Sequence, residues 1–437
     1  MHRCIPVAIA ALCFIGIGAI PVDAAVDAID SLAEEYVKLV LRVGRFVPDY
    51  VDAYFGPDEL KGDAAKEEVE KGFPYQRLCL DAERLLSAMH GAEGMIASDS
   101  GKQRLAYMIG QLNALRAMLD IQHGHKLPFD QEVAVVYGVR APKRDSAYYE
   151  GLLAGLDSLL PGEGDLTRRF IEFRERFFVP RLLIDTVLKS CFSECRERTR
   201  LFVDMPQGEF VRVELVGGQS WGGYNWYMGD LQSLVQFDTT SLPNLESLLD
   251  LAAHEGYPGH HLSNIVREEH LVRDSGWVEF SVFPLFCPQS VLDEGIACVA
   301  PDLVLPLEER IAFYKTTIFP LLSLDTALAA PYCKVTEASK RLDEVDLDVA
   351  RNYLDGTFDS TRAINWLCRY TLTTRDGALR SLRFTEDYRS YRVTYTVGVD
   401  LVRRYLSRHG GTPDNPGKQW GLFYQLIASP MLPSDLE

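Results

Sequence analysis

Residues 254–261 read His-Glu-Gly-Tyr-Pro-Gly-His-His and gather three of the chain's nine histidines, with a glutamate, into eight positions. Imidazole nitrogens and carboxylate oxygens are donors from which zinc sites are built. In the common His-Glu-x-x-His pattern, two histidines four apart share one helix face and reach one ion. Here the fourth position after His254 is Pro258, which cannot ligate. His260 is six residues on, about 240° round a regular helix, and His261 is seven on, roughly 10 Å further along the axis. Neither shares an ion with His254 unless the helix is distorted. Pro258 removes a backbone donor and Gly259 tolerates unusual dihedral angles. A two-residue bulge at this pair would carry His260 to the place a fourth-position histidine occupies. The competing reading is a polar turn with structurally satisfied histidines.

A third donor comes from Val-Leu-Asp-Glu-Gly-Ile-Ala-Cys-Val, where Glu294 lies forty residues after His254. Leu292, Ala297 and Val299 give it an apolar, helical setting, and a carboxylate buried there needs a partner. Two histidines and one glutamate leave a zinc position open for water, and Glu255 is then placed to take that water's proton. Asp293 competes with Glu294 for the ligand role.

These side chains need elements to hold them. Leu245, Leu248, Leu249 and Ala252 make one apolar stripe, so a helix starting near Pro243, with Glu246 at its positive end, can bury that face and present His254 to a cleft. Before it, residues 208–239 change character. Val211, Val213 and Leu215 alternate with Arg212 and Glu214, and Gly217-Gly218 and Gly222-Gly223 signal hairpins or bulges. A small antiparallel sheet is expected there. Upstream, stripes such as Ile29, Leu32, Tyr36 and Val37 read as helices, separated by turns at Gly56-Pro57 and Pro161-Gly162. Helical periodicity resumes after the sheet and runs to about residue 408. The expected fold is mainly α, with one small antiparallel sheet preceding the active-site helix. Residues 25–205 form a helical region and residues 206–437 the sheet and catalytic region, sharing one continuous core.

The chain has 437 residues, 47% hydrophobic and 24% charged, with net charge −17. That is a globular balance. Its acidity repels phosphate backbones, so nucleic acid is excluded as a partner. Residues 1–24 read as a signal peptide: Arg3, an apolar run from Ile5 to Ile20, and Val22-x-Ala24 before cleavage. A retained anchor is the weaker reading, because the run falls short of roughly 20 residues and holds Pro6, Gly16 and Gly18. An exported protein, periplasmic or secreted, with no stable membrane span after cleavage, is expected. Of nine cysteines, Cys4 and Cys13 leave with that segment. The odd, sparse remainder is no disulfide framework, and Cys191 and Cys195 read as small buried hydrophobes.

The motif His254–His261, followed by Glu294-Gly295, resembles the family catalogued as domain of unknown function 885. Its members carry His-Glu-x-x-Pro-Gly-His-His and a later Glu-Gly-Trp-Ala. The similarity extends from about Val26 to the C-terminus, including Tyr-Asn-Trp-Tyr-Met-Gly at 224–229 and Tyr-Thr-Val-Gly at 395–398. The resemblance implies a largely helical, zincin-like metallopeptidase fold with His254, His260 and Glu294 as zinc ligands and Glu255 as general base. The chain departs from the pattern after Glu294, where Trp-Ala-x-Tyr-x-Glu becomes Ile296-Ala297-Cys298-Val299-Ala300, with no carboxylate at Ala300. The family's Pro-Gly-Gln before Tyr-x-x-Gly becomes Arg389-Ser390-Tyr391.

An oxyanion donor is needed, and Tyr388, Tyr391, Arg392 and Tyr395 are available. Tyr395 occupies the tyrosine of the family's Tyr-x-x-Gly and is preferred. By analogy with zinc peptidases that lay substrate along a strand before the active helix, Asn225, Trp226 and Tyr227 border the cleft. Aromatic packing between sheet and helix is the alternative. His123 and His125, on a loop, take structural or surface roles. The expected function is an exported zinc-dependent hydrolase, a metallopeptidase acting on short peptides. A catalytically degenerate binding protein and a metal-dependent hydrolase of non-peptide amides or esters remain open.

Overall fold

The structure, a computed structural model, describes residues 22–65, 72–219 and 221–437. The targeting segment read over residues 1–24 lies outside the described residues apart from Val22–Ala24, which open the first helix. Among the described residues, no helix is long and apolar enough to cross a membrane.

Helices make up most of the fold, as the 3.6-residue periodicity predicts. Ile29, Tyr36 and Val37 are buried on the inner face of helix Val22–Gly44. The buried apolar residues form one cluster that runs from Ile29 to Leu436. Helical structure extends past residue 408 in a further helix, Pro416–Ile427, which begins on Pro416 and is capped by Asn415.

The most enclosed element is helix Pro288–Val304, apolar on nearly every side and buried accordingly. It packs against helix Val393–Arg408 with the two backbones in contact. A Cβ on Gly295 would lie 2.5 Å from the Gly398 carbonyl, and one on Gly398 would lie 2.2 Å from the Val291 carbonyl oxygen. Only glycine permits this approach. The glycines of Glu294-Gly295 and of Tyr395-x-x-Gly398 are thus the contact that brings those two motifs together.

Among the described residues, five strands complete the fold. β1 (Val51–Tyr54) pairs antiparallel with β5 (Val282–Pro284). β2 (Phe210–Val216), β3 (Gly223–Gly229) and β4 (Gln232–Asp238) form a sheet in the order β2-β4-β3. β3 and β4 make the expected antiparallel hairpin, but β2 runs parallel to β4. β4 lies between β2 and β3, so these two consecutive strands are not neighbours. β2 is therefore an edge strand, and Leu215, expected to face inward, is 40% exposed. On β4, Ser233, Val235 and Phe237 point inward at period two.

Candidate metal centre

Asn244, not Pro243, starts the helix that leads to His254: its side chain accepts from the Glu246 amide and caps Leu245–Leu251. Leu245, Leu248, Leu249 and Ala252 are buried, as their spacing requires. Beyond Leu251 the helix widens into a π turn, Ala252–Gly256. The Tyr257 amide donates to the Ala252 carbonyl, five residues back, and the Gly259 amide to the Ala253 carbonyl, six back. Pro258, which has no N–H, sits between these two donors. A Cβ on Gly259 would fall 1.9 Å from the His254 carbonyl oxygen, so no other residue fits. Helix His260–Arg267 follows at once. The inserted residues rotate His260 back to the face of His254, and π turns recur at functional sites for this reason.

The two imidazoles meet nearly edge to face, centroids 4.7 Å apart. His254 Nε2 lies 3.3 Å and His260 Nε2 3.8 Å from Glu294 Oε2. Donors held 2.0–2.1 Å from a tetrahedral zinc ion stand roughly 3.3 Å from one another, and both distances to Glu294 Oε2 are near that separation. Glu294 is 8% exposed, and its Oε2 is a buried acceptor without a hydrogen bond, which is costly unless a cation answers it. Its Oε1 accepts from the Tyr391 hydroxyl at 2.8 Å. Cys298 Sγ lies 3.7 Å from His254 Nδ1 and holds the far side of that ring. The donor set and the unanswered oxygen fit a divalent ion of the zinc class.

The ionised state of Glu294 is in keeping with this. Burial opposes ionisation of Glu294, but the imidazoles of His254 and His260 facing it outweigh that and hold the carboxyl well below the usual carboxylate range. Burial likewise lowers His254, and Cys298 with Glu294 and Glu255 more than reverses that.

His261 does not compete for the ion. It is fully buried, with Nδ1 2.8 Å from Ser233 Oγ and Nε2 3.2 Å from Glu209. Glu209 also accepts from Tyr257 and Arg196, so one carboxylate ties the distorted segment to the sheet and to helix Ile184–Thr199. Asp293, the alternative to Glu294, is paired with buried Arg267 and accepts from Gln289.

The cluster of His254, His260 and Glu294 opens into a cleft of about 410 Å³. Glu255 and Tyr395 line it beside those three residues. Burial, then the nearby charges of Glu294 and Cys298, hold the Tyr395 phenol well above its ordinary pKa, so it stays a proton donor. Asn225 lines the cleft, but its amide nitrogen donates to the Glu255 carbonyl, which makes it a brace for the helix turn as well. Trp226 is 42% exposed at the cleft wall and donates to Gln236. Tyr227, expected at the cleft border, is elsewhere: it is buried, and its hydroxyl donates to Glu268. His123 stacks on Tyr75, centroids 3.8 Å apart, and His125 lies 3.7 Å from Asp120, in keeping with structural roles. The seven cysteines among the described residues are free, with Cys191 and Cys195 buried on one helix.

Two cleft residues have places in the site that the sequence did not reveal. Tyr391, considered only as an oxyanion donor, instead fixes Glu294. Asp52 sits in β1 at a break in register, where Val51 pairs with Pro284 and Ala53 with Phe283. It faces the cleft and accepts from the Tyr224 hydroxyl. Burial pushes its carboxyl up to about 6 against the opposing bond from Tyr224 and charge of His260. No local signal marks Asp52, which comes from the N-terminal region some 200 residues before the ligands.

No family model matches the chain, and no curated protein matches it. Solved structures do. The M32 carboxypeptidase from Deinococcus radiodurans R1 superposes with a TM-score of 0.51 at 12% identity, over 95% of this chain and 94% of that one. Metallocarboxypeptidase 1 of Trypanosoma cruzi gives a TM-score of 0.49 at 11% identity, over 94% and 95%. A protein provisionally described as a lipoprotein from Colwellia psychrerythraea gives 0.49 at 11% identity, over 81% and 69%. The likeness to the Deinococcus enzyme concerns the fold, and the fold is metallopeptidase-like.

Proposed function

We propose that this chain is an exported zinc-dependent hydrolase, a metallopeptidase that cleaves short peptides. One observation carries the reading: His254 Nε2, His260 Nε2 and the unanswered Glu294 Oε2 converge at the floor of a cleft that also holds Glu255. The motif-level resemblance to the domain of unknown function 885 family supports the same assignment, and the signal-like residues 1–24 support export.

His254, His260 and Glu294 hold the ion, with Tyr391 and Cys298 fixing the orientation of two of them. When bound, zinc supplies Lewis acidity and brings the pKa of a water toward neutrality. Glu255 accepts the proton that the attacking water gives up and returns it to the leaving amine. The Tyr395 hydroxyl donates to the oxygen that gains charge at the scissile carbonyl. A cleft of about 410 Å³ encloses a few residues rather than a folded chain, which favours short peptides.

The test is zinc content beside hydrolysis of a mixed peptide library, for the wild type, His254→Ala and Glu255→Gln. The wild type should hold one zinc and turn over peptides. His254→Ala should lose both properties, and Glu255→Gln should keep zinc and lose turnover. A metal-free wild type, or a Glu255→Gln variant of undiminished activity, would overturn the proposal.

A further inference from the structure

The cleft carries a charge pattern that bears on what it takes. Asp49, Asp52, Glu255, Asp293 and Glu294 line it, and among the described residues no lysine or arginine does. A free C-terminal carboxylate needs a guanidinium, an ammonium or a set of convergent donors to replace its water. Apart from His254, His260 and the ion they would hold, this cleft offers the opposite sign.

Within that lining, the ligands and Glu255 are assigned to the chemistry and Asp293 is paired with Arg267. Asp52 is left. It lies at the β1 register break, the kind of irregularity that re-aims a side chain beside an active site. Tyr224 holds its Oδ1, and its Oδ2 accepts no hydrogen bond among the described residues. Next to it, Trp221, Tyr224 and Trp226 form a continuous aromatic wall, with successive centroids 5.6 and 4.5 Å apart. An unpaired carboxylate beside aromatic faces is a receptor for an alkylammonium or guanidinium group.

We infer that Asp52, positioned by Tyr224 and flanked by the aromatic wall, is the specificity determinant of the cleft and docks a cationic group of the substrate, an α-ammonium or a lysine or arginine side chain. This rests on the reading of the cleft as a peptidase site. It sets the chain apart in substrate choice from an enzyme that grips a carboxylate terminus.

The experiment is calorimetric binding of four dipeptides to the zinc-loaded Glu255→Gln protein: lysyl-alanine and norleucyl-alanine, each with a free and an acetylated amino terminus. Acetyl-norleucyl-alanine, which has no cation, should bind at least tenfold more weakly than the best cationic peptide, because a charge-assisted contact is worth roughly one to two orders of magnitude. The acetylated lysyl and the free norleucyl peptides tell which cation is read. Adding Asp52→Asn should shrink the cationic-to-neutral ratio to threefold or less, with zinc content unchanged. Tyr224→Phe, which removes only the hydroxyl anchoring Asp52, should shrink it in part, and carries the test should Asp52→Asn not fold. A ratio near one in the parent protein, a ratio indifferent to both substitutions, or loss of a second zinc on Asp52→Asn would overturn the inference. Selective binding without any wild-type turnover would instead sink the peptidase reading and leave the docking site standing.

Discussion

Two tyrosines four residues apart, Tyr391 in a short 3-10 turn and Tyr395 in the helix Val393–Arg408 that follows it, should fail in different ways. Tyr391 donates to Glu294 Oε1 at 2.8 Å in a buried setting, whereas no hydrogen bond joins Tyr395 to a ligand. Replacing Tyr391 by phenylalanine leaves a buried carboxylate oxygen unpaired and frees the carboxylate to turn. A hydrogen bond to a charged group contributes about 1.5–3 kcal/mol. The bare carboxylate becomes more basic, which returns part of this, and outer-shell substitutions generally cost 10–100-fold in metal affinity. Tyr391→Phe should therefore raise the zinc dissociation constant roughly tenfold to a hundredfold. Tyr395→Phe should hold zinc within about threefold of wild type and lower kcat by roughly two to three orders of magnitude, the cost of one oxyanion donor. Competition against a chromophoric chelator at fixed pH reads the first quantity, and steady-state kinetics at saturating zinc reads the second. Unaltered zinc affinity in Tyr391→Phe, or weakened affinity confined to Tyr395→Phe, would refute this division of roles.

Other consequences can be checked by standard measurements. Gly398→Ala places a methyl 2.2 Å from the Val291 carbonyl oxygen, so the two central helices must part by about 1 Å; a loss of about 1–3 kcal/mol in urea unfolding, with reduced activity from the displaced Glu294 and Tyr395, is the expected outcome. Glu209 sits at about 2 against an ordinary 4.5, because bonds from His261, Tyr257 and Arg196 outweigh its burial. A depressed carboxyl stabilises the fold above its unfolded pKa and loses that contribution as pH falls through the folded one. Between about pH 4.5 and 2 the wild type should thus lose stability more steeply than Glu209→Gln, as followed by unfolding midpoints; parallel curves would show that Glu209 bears no such load.

Much of the candidate site's geometry was legible in the chain. Helix spacing alone forbids His254 and His260 from meeting, and the Pro-Gly pair announces where regular winding stops. The structure realises this as a π turn with five- and six-residue backbone bonds. The choice between His260 and His261 was not legible, since both follow the break; it is made by Ser233 and Glu209, which capture His261 from the sheet side. Glu294 stood out because a carboxylate in an apolar helix needs a partner, while Asp293 was set aside only by Arg267, a residue on another helix.

Residues whose meaning is local, or whose cost of burial is large, therefore declare themselves: the helix breaker, the buried glutamate, the apolar stripes and the mainly helical class. Tertiary structure decided whatever depends on which distant surfaces meet. It joined Asp52 to Tyr224 across 172 residues, turned Tyr227 toward Glu268, gave Tyr391 to Glu294, and ran β2 parallel to β4. Periodicity reports the direction in which a side chain points from its own element, and a pairing across the core also requires the position of the other element, which no local pattern encodes.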